Sequence, residues 1–164
     1  MNTVIEIASI QRRFCAYLLD IAILLVPTLL IVLLLKDFPL ILYLLYICMN
    51  CGYFTYFISS VAQATPGQQL MNIYTISLDG SRIDLSLAFD KSISQFFLPL
   101  LNNVIVILID FFHAQESLVN ALNILEVIIV LLTLCWYLVA CFSKNKQTYH
   151  DMLFGTIVVK GTIK

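Results

Sequence analysis

The chain has 164 residues, the length of one domain. Of these, 61% are hydrophobic and only 12% are charged, with a mean hydropathy of +0.96, whereas a soluble domain carries roughly a quarter of its residues as charges. A soluble fold is excluded. The nine basic residues, set against a net charge of -1, form no patch with interleaved aromatics, so nucleic acid is not an expected partner.

A helix crosses a bilayer core with about 20 apolar residues, and four stretches reach that length: 14–35, 40–61, 93–112 and 118–142. The chain therefore reads as an all-α membrane protein of four transmembrane helices. Arg12 and Arg13 precede the first stretch, as in a secretory signal. The apolar run is too long for one and no small-residue cleavage site follows, so it reads as a retained anchor. Arg13, Ala16 and Asp20 fall on one stripe of this helix, with Asp20 about 9 Å inside the boundary at 1.5 Å per residue. An ionisable group in a span is expensive and is a functional candidate by default. Asp20 is expected to tie the first helix to the central loop or to Lys146 and His150, or else to serve transport; Arg13 reaches it only in part, because snorkelling draws the guanidinium outward.

Lys36-Asp37-Phe38-Pro39 is a tight hairpin in which Pro39 can open the second helix. That helix carries Cys48, Gly52, Thr55, Ser59 and Ala62 in a stripe of small residues, read as a packing seam. Cys48 and Cys51 form a CxxC with no second pair and no nearby His, so both they and Cys15, Cys135 and Cys141 are read as packing residues without metal or disulfide.

The central loop, 62–91, is patterned. Thr65-Pro66 is a helix start, and the β-prone runs 72–77 and 82–87 flank Asp79-Gly80, a hairpin signal. In the tail, 143–164, residues 156–160 form another strand-like run. Loop and tail together predict a small β element, with the tail strand added at the edge of the loop hairpin. Tyr149, His150 and Asp151 follow the last span closely, so the tail is expected to fold back and bring His150 or Asp151 to Arg13.

The third span holds Gln95, Pro99, Asn102, Asn103 and Asp110 close to one face; Pro99 frees a carbonyl near Gln95, and in lipid a freed group must be satisfied or line a cavity. The fourth holds Asn120, Asn123, Glu126 and Thr133 at helical spacing. Burial in hydrocarbon favours the neutral form of a carboxyl group such as Glu126. Ordered by depth, Asp20, Asn102 and Asn103, Glu126 and Asp110 make a ladder with rungs about 5–8 Å apart, fit for bridging water along a proton or cation path, or alternatively for interhelical hydrogen bonds.

Lys and Arg placement orients the helices. Arg12, Arg13, Arg82, Lys91, Lys144, Lys146, Lys160 and Lys164 fall on one side and Lys36 alone on the other, so both ends are expected in the cytoplasm.

Three motifs together resemble the RDD family of small membrane proteins, named for its Arg and Asp residues. They are Arg13-x-x-Ala16-x-x-x-Asp20; Thr65-Pro66-Gly67 with Leu70 and Leu78-Asp79-Gly80; and Gln147-x-x-His150-Asp151 with Gly155-Thr156-Ile157-Val158-Val159. The resemblance covers almost the whole chain, 1–164, as one domain. Gln68 stands where the family usually has Lys, and Lys91 and Lys146 stand where Arg is common. The resemblance implies a bacterial inner-membrane protein for which transport has been proposed, in some members cation/proton antiport.

Two functions are therefore open. One is a small transporter of ions or solutes, which would need a homo-oligomer because four helices enclose little volume; no repeat is evident between the two hairpins to support alternating access. The other is a membrane scaffold that docks or stabilises a partner membrane protein, since the three motifs sit at the helix ends and in the loops. The chain has no GxGxxG or P-loop, and His113 and His150 lie on opposite faces, so neither an enzyme nor a cofactor is expected.

Overall fold

The computed structural model describes residues 6–161, so Lys164 of the tail lies outside the described residues. Four long helices, α1 (Ile10–Leu35), α2 (Pro39–Ser59), α4 (Leu85–Phe111) and α5 (Glu116–Phe142), are each long and apolar enough to cross a membrane. Two short helices, α3 (Pro66–Leu70) and α6 (Tyr149–Leu153), each lead into a strand, β1 (Ile73–Ser77) and β2 (Thr156–Lys160). Most of the large apolar side chains on the four long helices are exposed, as lipid-facing residues must be.

Two spans begin earlier than hydropathy alone suggests. Ser9 caps α1, accepting from Arg12 N, and Asp84 caps α4, accepting from Leu87 N. The extra turns rise out of the apolar band as polar-tolerant helix, so the central loop ends at residue 84. Pro39 opens α2 at the first helical position. Gly52 meets no neighbouring atom, so the small-residue stripe of α2 is not a close seam at that point.

The β element differs from the expected hairpin. β1 pairs directly with β2, antiparallel, with Ile73 opposite Lys160 and Ser77 opposite Thr156. Residues 82–87 form no strand, because Asp84 starts α4 there. Asp79 instead accepts from the backbone and hydroxyl of Ser81, and Gly80 takes φ 82, so Asp79-Gly80 turns the chain towards α4. Both sheet edges are covered: Thr75 N donates to Gln63 O on one side, and Ala8 N donates to Val158 O on the other.

The chain repeats itself. Each half is a helical hairpin, a five-residue helix and a five-residue strand. Ser60 and Ser143 end the second helix of each half, and each accepts a backbone bond from the residue three further on. Those residues, Gln63 and Lys146, are left-handed at φ 47 and 51. Thr65 and Thr148 are N-caps with reciprocal capping boxes. Asn72 and Gly155, before the strands, are again left-handed at φ 55 and 57. The interval is the same for every pair. In the sheet Thr75 lies opposite Val158, its own equivalent, so the register is itself two-fold. In the sequence only Ser60 and Ser143, Thr65 and Thr148, and Leu70 and Leu153 keep the repeat across these segments, while the other side chains have diverged and the correspondence resides in φ angles and caps.

Candidate functional site

The short helices and strands form a cap at the end of the bundle where α1 starts and α5 ends. Between cap and spans lies a polar layer that includes Asp20, Gln63, Thr65, Thr75, Lys91, Ser92, Gln147, His150, Asp151 and Thr156, all buried. Burying so many polar groups is tolerable only if they bond one another, and most of them do.

Asp20 is 1% exposed. Its Oδ1 accepts from Tyr53 Oη at 2.7 Å and from Gly67 N at 2.8 Å, and its Oδ2 accepts from Thr65 Oγ1 at 2.6 Å. The carboxylate thus sits on the first turn of α3, where free N–H groups and the helix dipole favour negative charge. Pro66 occupies the first helical position, where no N–H is missed. Gly67 is required here, since a Cβ would overlap Ala16 O and come within 2.8 Å of Asp20 Cγ. Ala16, buried to 1%, is the surface against which α3 seats. The sequence expectation that Asp20 ties the first helix to the loop matches this geometry. Its suggested pairing with Arg13, Lys146 or His150 does not occur, because two donors from the loop, Thr65 and Gly67, and one from α2, Tyr53, fill its oxygens.

Arg13 goes to the tail instead. Its Nη1 donates to Asp151 Oδ2 at 3.0 Å and to Lys146 O, while Lys91 Nζ donates to Asp151 Oδ1 at 2.6 Å and to Thr156 Oγ1 at 3.0 Å. Thr148 N also donates to Asp151, closing the capping box of α6. Burial would raise the Asp151 carboxyl, yet Lys91 and Arg13 beside it hold it well below the usual carboxylate range. His150 lies among Trp136, Tyr137 and Tyr149, its Nδ1 3.0 Å from Ser94 Oγ. Burial pushes the imidazole down to about 4, so it is neutral at neutral pH.

Sequence reasoning missed Lys91, Tyr53 and Thr156 as members of this layer. Hydropathy begins only at Ile93 and so leaves Lys91 to the loop, whereas the Asp84 cap places it on α4. Thr148-x-x-Asp151 was readable as a capping box, whereas Tyr53 carries no local signal.

The ladder residues are elsewhere. Asn102 and Asn103 are half-buried on α4, Glu126 is half-buried on α5, and Asp110 is exposed one residue before α4 ends. Among the described residues none of them hydrogen-bonds to another. A cavity of about 220 Å³ between α1, α2 and α4, lined by Tyr17, Leu24, Thr28, Asn50 and Phe96 among others, includes no ladder residue. Asn102 Oδ1 is buried with no donor.

A family model described as RDD family matches residues 7–155. The chain belongs to the RDD family. Arg13, Asp20 and Asp151 of its RDD-like motifs, together with Lys91, join the cap to the spans, whereas the motif residue Asp79 holds only the turn at Ser81. No curated protein and no solved structure matches the chain.

Proposed function

We propose that this RDD protein is a small transporter of ions or solutes in a bacterial inner membrane, with both termini cytoplasmic and the cap as its rigid base. The observation that carries this reading is the placement of Asn102 Oδ1, a buried acceptor without a donor inside a membrane span. Hydrocarbon penalises such an atom, and the cap does not need it. The cap residues are the fixed part: the Asp20 oxygens accept from three donors, and Asp151 is locked between two cations, so neither is free to exchange a ligand. Flux measured across proteoliposomes containing only this protein tests the proposal. Sealed vesicles with folded protein and no flux under an imposed ion or proton gradient would end it.

A second reading has its own support. Asp20, Thr65, His150, Asp151 and Thr156 of the polar layer are spent joining cap to spans, which suits a scaffold whose task is to hold a surface in place for a partner membrane protein. Loss of a partner's stability on deletion of this chain, with no flux from the purified protein, would favour it.

A further inference from the structure

α1 and α2 are pinned to each other at two levels. The turn between them closes one end, with Phe38 N donating to Leu35 O at 2.9 Å, and the bond from Tyr53 Oη to Asp20 closes the other at 2.7 Å. Between the pins lies the cavity of about 220 Å³, backed by Phe96 of α4. Residues equally far from the turn come level, so Thr28 is level with Tyr46 and Leu24 with Asn50. Pro27 falls between Leu24 and Thr28 and lacks the N–H that an unbroken α1 would bond to the Ile23 carbonyl. At 1.5 Å per residue, Asn50 is about 14 Å from the cap end of α2 at Ser59, so the cavity is deep in the membrane.

The walls are of two kinds. Tyr17, Tyr46, Phe54 and Phe96 present aromatic rings, and Phe54 and Phe96 pack with centroids 5.6 Å apart. Thr28 and Asn50 add polar groups. Asn50 is 6% exposed, and its Nδ2 is fixed on Tyr46 O at 2.8 Å, while its Oδ1 accepts from no donor among the described residues. An acceptor at that depth has no water to turn to. No charged side chain lines the cavity among the described residues, so a bare ion would find no counter-charge. Ile21 and Leu25 also line it and are 44% and 52% exposed, so it opens towards lipid. An apolar cavity of about 150 Å³ holds benzene. A larger one with aromatic walls and an unpaired amide oxygen suits one or two fused rings bearing a hydroxyl group. A lipid tail would fill the space but leave Asn50 Oδ1 unpaired. We infer that this cavity is a binding site for a neutral, lipid-soluble ring compound, which enters sideways from the bilayer past Ile21 and Leu25 and donates from a hydroxyl group to Asn50 Oδ1. The inference goes beyond the transport reading, since the site binds whether or not anything crosses the membrane.

The test uses the full-length protein in liposomes with benzophenone as photoprobe, whose excited carbonyl takes a hydrogen from a nearby C–H before the two carbon radicals join. Mass spectrometry should place saturable adducts on residues 17–28 and 46–54, and 1-naphthol should displace them. Neither hexadecane, which mimics a lipid tail, nor naphthalene-1-sulfonate, a charged ring, should do so at the same membrane concentration. Asn50→Leu should weaken displacement by 1-naphthol about two- to tenfold, the loss of one hydrogen bond, and leave displacement by naphthalene unchanged. Ile21→Trp, on the lipid-facing rim, should abolish the saturable label in folded protein, which keeps the test decisive if Asn50→Leu does not fold. Adducts spread over all four spans without saturation would overturn the inference. So would unchanged displacement in folded Asn50→Leu, or displacement by hexadecane as effective as by 1-naphthol, which would make the cavity a seat for a lipid tail. Saturable label in vesicles that pass no ion or solute would keep the site and remove the transport reading. Flux without saturable label would do the reverse.

Discussion

Arg13 and Asp151 lie 138 residues apart in the chain and 3.0 Å apart in the fold. This contact joins the first turns of α1 to the helix after the last span, and Lys91 holds the other carboxylate oxygen. Replacing Asp151 with Asn would leave the buried Lys91 and the part-buried Arg13 without a counter-charge. Breaking a buried pair in this way costs about 3–5 kcal/mol. Thermal melting in detergent should therefore show Asp151→Asn as strongly destabilised. Arg13→Gln should be milder, since Lys91 still neutralises the carboxylate. Equal melting of Asp151→Asn and the parent would mean that the ion pairs contribute nothing.

Asp20→Asn should damage the fold more than Glu126→Gln. The Asp20 carboxylate accepts three hydrogen bonds, and an amide nitrogen in its place would point a donor at a donor. Leaving such buried groups unsatisfied costs about 1–3 kcal/mol. Glu126 is only half-buried and makes no hydrogen bond among the described residues, so a Gln there leaves no partner unpaired. Comparing the extracted stability of the two variants decides the order, and a larger loss for Glu126→Gln would reverse it.

Gly67→Ala should separate α3 from α1. The added methyl overlaps the Ala16 carbonyl, which is backbone and cannot swing aside. Overpacking typically costs about 1–3 kcal/mol, and here it also pulls Gly67 N away from Asp20. Protease sensitivity at residues 62–72 is the readout: Gly67→Ala should be cut faster there than the parent, whereas Gly52→Ala, in open space, should not change.

Stability should fall with acid through the titration of His150. The folded protein holds this imidazole neutral down to about 4, while in the unfolded chain it protonates near the ordinary value of about 6.5. Protons then favour the unfolded chain across that window, so stability is fully present above it and is lost as pH falls from about 6.5 to about 4. Asp151, held well below the usual carboxylate range, contributes a further loss that begins only under about pH 4. A series of Tm values against pH should show the first slope, and His150→Phe should remove it while keeping the second.

The spans and the resemblance were legible because hydropathy and short motifs are local. The fold-back of the tail to Arg13 was legible for a related reason: too few residues separate Phe142 from Asp151 for the tail to leave the boundary. The strand pairing was not. Asp79-Gly80 is a good local hairpin signal, but residues 82–87 are claimed by the Asp84 cap, and β2 arrives from the far end of the chain to take the place beside β1. The partners of Asp20 escaped for the same reason, since Tyr53 and Gly67 reach it only through tertiary packing. Local chemistry names the charged residues; the long-range pairing decides whom they meet.

The internal repeat leads to a last prediction. Each half carries a helical hairpin, a capped short helix and one strand, and neither strand has a partner within its own half. A two-stranded sheet is marginal even when complete, and α2 packs along α4 across the boundary between halves. Neither half should then fold alone. Both should assemble when made together as residues 1–79 and 80–164, because the break falls at Gly80, an exposed turn residue that a Cβ at this site would leave free of neighbours. Co-purification of the two pieces from membranes, with one tagged, reads the outcome. The control is Thr75→Pro, which removes the backbone donor to Gln63 and distorts the strand at the centre of the two-fold register. Assembly lost in that variant and present in the parent pieces would place the join at the sheet. Pieces that assemble equally well with Thr75→Pro would show instead that α2 and α4 hold the halves together without the strands.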